Sequence, residues 1–96
     1  EIKEFQKRVK ELYFANDSKR GSVRSFLYLM EEVGELAQAL AEKGKNEIAD
    51  ELSDVVAWCM SLANTEGIDL EKALVAKYGK NCPCCKKSPC VCKDKP

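Results

Sequence analysis

Between Val23 and about Lys43, Phe26, Leu29, Met30, Val33, Leu36, Ala37 and Leu40 recur at three- and four-residue spacings. Only an α-helix turns that period into one continuous apolar face, so this segment predicts a long amphipathic helix. The same period runs through Ile2, Phe5, Val9, Leu12 and Tyr13, which predicts a first helix over Ile2 to Phe14. The polar run from Asn16 to Gly21 reads as a loop, with Ser22 placed to accept amide hydrogens at the start of the second helix. Gly44 stops that helix. A third is expected from Asn46, as its N-cap, to Asn64 or Thr65, with Glu47 and Asp50 in its first turns, where the helix dipole favours acids. Gly67 follows its end, and Asp69 caps a short fourth helix from Leu70 to Tyr78. No segment reads as a strand, because Val55 and Val56 fall inside a longer helical period. The fold class is therefore all-α, a four-helix bundle whose core pair is the second and third helices, joined by a connection short enough to make them antiparallel neighbours.

A chain of 96 residues, 45% of them hydrophobic, has room for one small domain. We place its helical part at residues 1–80 and a cysteine-rich tail at 81–96. Sixteen basic residues balance sixteen acidic ones, which argues against holding nucleic acid by bulk charge. No stretch approaches the ~18 consecutive apolar residues of a membrane span, and the charged start Glu1-Ile2-Lys3-Glu4 lacks a signal-peptide pattern. A cytoplasmic protein is expected, with neither membrane nor nucleic acid as a partner.

The acidic residues of the two central helices carry the chemistry. At about 100° of rotation per residue, Glu32 lies at the margin of the apolar stripe of the second helix and Glu35 a step outward. Glu51 and Asp54 repeat that arrangement on the third helix. Two acidic pairs thus flank one helix seam, where four carboxylates would repel one another unless a hard cation sat between them. All-oxygen ligands of this kind suit Mg²⁺ or Mn²⁺, which keep part of their water and share substrate phosphates. An isolated ExxE is more often a solvated face, and it is the matched pair that points to a site. Glu31 reads equally well as a residue near the metal or as a solvent-exposed acid.

Glu31-Glu32-Val33-Gly34-Glu35-Leu36-Ala37, followed by Asp50-Glu51-Leu52-Ser53-Asp54-Val55, resembles the EExxE…ExxD pattern of the MazG-like nucleoside triphosphate pyrophosphohydrolases. The resemblance covers about residues 1–80. It implies an all-α MazG-like bundle that hydrolyses a nucleoside triphosphate to the monophosphate and pyrophosphate, as in nucleotide-pool cleaning. It makes Glu32, Glu35, Glu51 and Asp54 the Mg²⁺ ligands, and leaves Glu31 or Glu35 to orient or deprotonate the attacking water. Phosphate contacts are expected from Arg20, Lys77 and Asn81, with Lys19 and Lys80 as weaker candidates. Phe26, Tyr28 and Trp58 are candidates for stacking on a base, although aromatic residues at this spacing are more often core.

Val55-Val56-Ala57-Trp58-Cys59-Met60 is apolar around the whole third helix. Such a helix needs cover on more than one side, either from the first and fourth helices or from a second subunit, and a homodimer or homotetramer is expected. Cys59 reads as a small buried hydrophobe. The other five cysteines crowd into Cys82-Pro83-Cys84-Cys85-Lys86-Lys87-Ser88-Pro89-Cys90-Val91-Cys92, a density that favours metal over disulfides in an intracellular chain. Cys82, Cys85, Cys90 and Cys92 can close a tetrahedral structural Zn²⁺ site, with Cys84 spare. Labile disulfides, an iron–sulfur centre or a disordered tail are the competing readings. The competing function is a non-catalytic helical scaffold whose zinc knuckle binds nucleic acid or protein.

Overall fold

The computed structural model describes residues 1–94, so the last two residues of the expected 81–96 tail lie outside the described part. Four helices follow in order: α1 (Ile2–Arg20), α2 (Ser22–Glu42), α3 (Lys45–Glu66) and α4 (Leu70–Tyr78). No strand occurs among the described residues. α2 packs chiefly on α3, α1 lies across α3 and touches α2, and α4 returns to α1.

The largest departure from the sequence reading is the segment from Asn16 to Gly21, which is not a loop. α1 continues to Arg20, and Gly21 alone separates it from α2. Tertiary burial overrides local turn preference here. Asp17 is 2% exposed and pairs with Arg20 one turn later at 2.9 Å. The same guanidinium donates to the hydroxyl of Ser25 at 3.3 Å, and Ser25 is fully buried. Gly21 then takes φ 87°, a conformation costly for any residue with a side chain, and the chain reverses within one residue. Ser22 is the first residue of α2 and not its cap; its hydroxyl bonds to the Glu66 carboxylate.

The start of α3 also differs. Gly44 occupies the N-cap position and Asn46 lies within the first turn, with no side-chain cap bond at this end. The other ends follow the sequence: Gly67 closes α3 in the left-handed conformation at φ 69°, and Asp69 caps α4 by accepting the Lys72 amide at 3.1 Å.

The core is small. Val9, Leu29, Ala39, Met60 and Ala63 are buried, whereas Phe26, Met30, Val33 and Leu40 of the α2 stripe stay substantially exposed. On α3, Leu52 and Val56 are open and Cys59 is exposed rather than buried as expected. α1 thus covers part of α3, α4 packs on α1, and much of the apolar stripe of α2 is left open.

Where α1, α3 and the start of α4 meet, a polar knot replaces apolar packing. The Gln6 side-chain amide donates to Asn64 Oδ1 at 3.0 Å and to the Ile68 carbonyl at 2.7 Å, and its oxygen accepts from the Leu70 amide at 3.0 Å. Asn64 returns a bond to the Gln6 carbonyl at 3.1 Å. Both side chains are buried, so removing one partner strands the other polar groups away from water. Gln6→Leu is expected to destabilise the fold by about 2 to 4 kcal/mol in urea unfolding; a loss below about 1 kcal/mol would mean the knot is not holding these three helices together.

Candidate active site

α2 and α3 present acids on the faces that meet. Glu32, Glu35 and Glu51 each offer a carboxylate oxygen within 4.8 Å of the other two. The i, i+3 spacing on α2 and the short link through Lys43 and Gly44 set this convergence. Asp54 lies outside that closest trio, but its carboxyl is near enough to help raise the Glu32 carboxyl. Burial, the neighbouring Glu35 charge and Asp54 push the Glu32 carboxyl up to about 7. Burial, followed by the Glu35 charge, also raises Glu51.

Whether these residues suit a cation can be tested on Glu51. Its Oε1 is buried and has no hydrogen-bond partner. A buried carboxylate oxygen without a donor is costly, and a positive ion among three carboxylates would satisfy it. The donor set is all oxygen, the chemistry of Mg²⁺ or Mn²⁺ rather than of softer metals.

The remaining expected residues divide. Glu31, next to Glu32, is exposed and stands apart from the trio. Arg20 does not hang free as a surface cation. It is held by Asp17 and Ser25 and lies over the rings of Tyr28 at 5.4 Å and Trp58 at 5.1 Å. Tyr28 and Trp58 are themselves stacked with centroids 5.5 Å apart, whereas Phe26 is exposed and takes no part in this stack. Lys77 places its ammonium 5.5 Å from the Tyr78 ring. With Asn81, Lys80, Cys82 and Lys86 it lines a separate groove that none of the four carboxylates borders.

Sequence reasoning missed a cleft of about 340 Å³ walled by Tyr13, Asn16, Asp17 and Arg20 of α1 and by Asp54, Ala57, Trp58 and Ser61 of α3. Asp54 belongs to both cleft and acidic site, so the two adjoin. The available signal was helical spacing: Tyr13, Asp17 and Arg20 continue one face of α1 once the Asn16–Gly21 segment is read as helix.

In the tail, the sulfurs of Cys82, Cys85, Cys90 and Cys92 lie within 4.8 Å of one another, while Cys84 is exposed and outside the group. Cys82 and Cys92 are 4.0 Å apart and Cys85 and Cys90 3.9 Å. Those separations are near the ~3.8 Å edge of a tetrahedron with Zn–S bonds of ~2.3 Å, and far from a disulfide. The Val91 amide bonds to the Cys85 sulfur at 3.5 Å and brings that thiol down to about 6. Cys92, whose thiol proton is held toward the Cys90 sulfur, is driven up to about 12. Four sulfurs this close cannot all be thiolates without a cation among them.

The raised Glu32 carboxyl ties stability to pH. In metal-free protein the folded state holds a proton on Glu32 up to about 7, whereas the unfolded chain releases it near the ordinary 4.5. Between those values the native state binds more protons, so stability falls as pH rises. Melting temperature should therefore decline from about pH 5 to about pH 8, and Glu32→Gln should flatten that decline. Mn²⁺ should raise the melting temperature more at about pH 8, because at about pH 5 it must displace the proton. An equal pH slope in wild type and Glu32→Gln would refute the assignment.

The model of the MazG nucleotide pyrophosphohydrolase domain matches residues 22–86, more than half of the chain. A comparison with curated proteins gave no match. The match spans α2, α3 and α4, including every carboxylate of the acidic site. The chain belongs to the MazG nucleotide pyrophosphohydrolase family.

Proposed function

We propose that the protein hydrolyses a nucleoside triphosphate to the monophosphate and pyrophosphate, in a nucleotide-pool-cleaning role in the cytoplasm. The observation that carries this is the buried, unpartnered Oε1 of Glu51 within a trio of carboxylates, beside a cleft that shares Asp54. Such an arrangement is costly for a scaffold with no ligand to hold and well suited to phosphate chemistry.

Glu32, Glu35, Glu51 and Asp54 hold Mg²⁺ or Mn²⁺ in this reading. The bound ion supplies charge neutralisation on the phosphates and lowers the pKa of its water. Glu35, exposed at the rim of the trio, orients the attacking water or takes its proton, with Glu31 as the neighbouring alternative. Arg20, fixed by Asp17 and the two stacked rings, shapes the substrate cleft. Lys77 and Asn81 line a groove of their own and contact phosphates from a second subunit. Association is supported by the exposed apolar face of α2, where Val23, Phe26, Leu27 and Val33 remain open to water. A homodimer, or a pair of dimers, would cover it.

Pyrophosphate release measured across a panel of canonical and modified nucleotides with Mg²⁺ tests the activity. At least one nucleotide should be turned over, and Glu35→Gln and Glu51→Gln should each cut the rate by at least about 100-fold. Release from none of them, or unaltered rates in both variants, would defeat the proposal.

The tail is a structural zinc knuckle in the same proposal, built from Cys82, Cys85, Cys90 and Cys92, with Cys84 left over. Metal analysis of protein purified without chelator should find about one zinc per chain, and Cys85→Ser should lower that content sharply. Zinc-free protein with all thiols titratable would overturn it.

A further inference from the structure

The cleft beside the acidic site contains one group that the proposed chemistry leaves unexplained. Asp17 is 2% exposed. Its Oδ1 accepts from Arg20 at 2.9 Å, while Oδ2 is buried with no hydrogen-bond partner. An unpaired buried carboxylate oxygen requires a donor, and Asp17 is one of the residues that wall the cleft.

Two features identify the donor. Asp17 is already paired with Arg20 and belongs to neither group of potential metal ligands among the described residues, so an N–H suits it better than a cation. The wall beside it is aromatic: Trp58 lines the cleft, backed by Tyr28 in a stack and braced by the Arg20 guanidinium. A flat ring with polar N–H groups on its edge meets both conditions.

We propose that this cleft seats the nucleobase and that Asp17 Oδ2 accepts an N–H from the base's pairing edge, which makes Asp17 a specificity residue. The inference rests on the nucleotide reading above, with the phosphates meeting the carboxylates on the far side of Asp54. Nucleotides whose base carries a free N–H on that edge are the substrate class, and bases lacking one are rejected. Missing such a donor leaves the carboxylate oxygen stranded, a penalty far larger than that of a lost methyl group.

Trp58 is the sole tryptophan of the chain, so its fluorescence reports occupancy of the cleft without depending on turnover. The full chain with Mg²⁺ is titrated with the non-hydrolysable α,β-imido triphosphates of the four common bases and of pyrimidin-2-one, which resembles cytosine without the amino group. The best common base should bind about 10- to 100-fold tighter than pyrimidin-2-one. Asp17→Asn, checked for folding by circular dichroism, turns an amide N–H into the cleft and should narrow or reverse that preference. Pyrimidin-2-one binding as tightly as the best common base overturns the proposal, as does a folded Asp17→Asn variant with unchanged preference. If the variant does not fold, the wild-type comparison decides alone. Pyrophosphate release with no Trp58 response would refute this pocket and leave hydrolysis standing; base discrimination at Trp58 without release would do the reverse.

Discussion

Carboxylates that approach one another in partial burial are the constraint around which this protein is arranged. Glu32, Glu35 and Glu51 come within 4.8 Å, and Asp54 adds its charge to Glu32. Each helix alone tolerates its acids, since like charges one turn apart cost only about 0.2 to 0.5 kcal/mol. Packing α2 on α3 multiplies the cost, because the pairs then face each other with little water between. The raised Glu32 carboxyl and the stranded Glu51 oxygen are two consequences of that one act of packing. A fold selected for stability alone would have placed amides or apolar groups here.

Most of this site was legible because it is local twice over. Glu32 with Glu35, and Glu51 with Asp54, are each fixed by one helical turn, and the short connection between α2 and α3 leaves few ways to pair them. Fold class was legible for the same reason, from period alone. The misreadings occur where local preference and tertiary context disagree. Asn16, Asp17 and Ser18 favour turns as isolated residues, yet Asp17 is drawn into the helix by burial and by Arg20. Reading that stretch as loop hid the cleft, since Tyr13 and Asp17 share a face only if the helix continues. Asn46 misled in the opposite way: a good capping residue sits inside the first turn because Gly44 already begins the helix.

The apolar stripes posed a different problem. Periodicity correctly grouped Phe26, Met30 and Val33, but says nothing about what covers them. In the single chain α1 turns toward α3, and α4 is only nine residues long, so the face of α2 is left open. Cys59 shows the same gap from the other side: it reads as core by composition and is exposed in one chain. Few large side chains are buried in this fold, as expected of a domain whose size limits its core. The Gln6–Asn64 knot therefore carries unusual weight, for it ties α1 to α3, the two helices whose Tyr13, Asp17 and Trp58 wall the cleft.

The tail follows a separate logic. From Cys82 onward the chain has almost no apolar side chain to bury, with Val91 itself exposed, so packing cannot order it. What does order it is sulfur: amide hydrogens of Val91 and Cys92 point at the sulfurs of Cys85 and Cys90, and Lys86 and Lys87 bond back to Cys82 through the main chain. The two side-chain clusters differ as far as protein donors can, all oxygen on the helices and all sulfur in the tail. Thiolates favour a soft or borderline cation such as Zn²⁺, and carboxylates suit Mg²⁺ or Mn²⁺, with ligand type and metal availability rather than raw affinity sorting the two. In the proposed reading, the tail would keep a structural metal while the acidic site exchanges a labile ion, because the two clusters differ in donor type and share no residue.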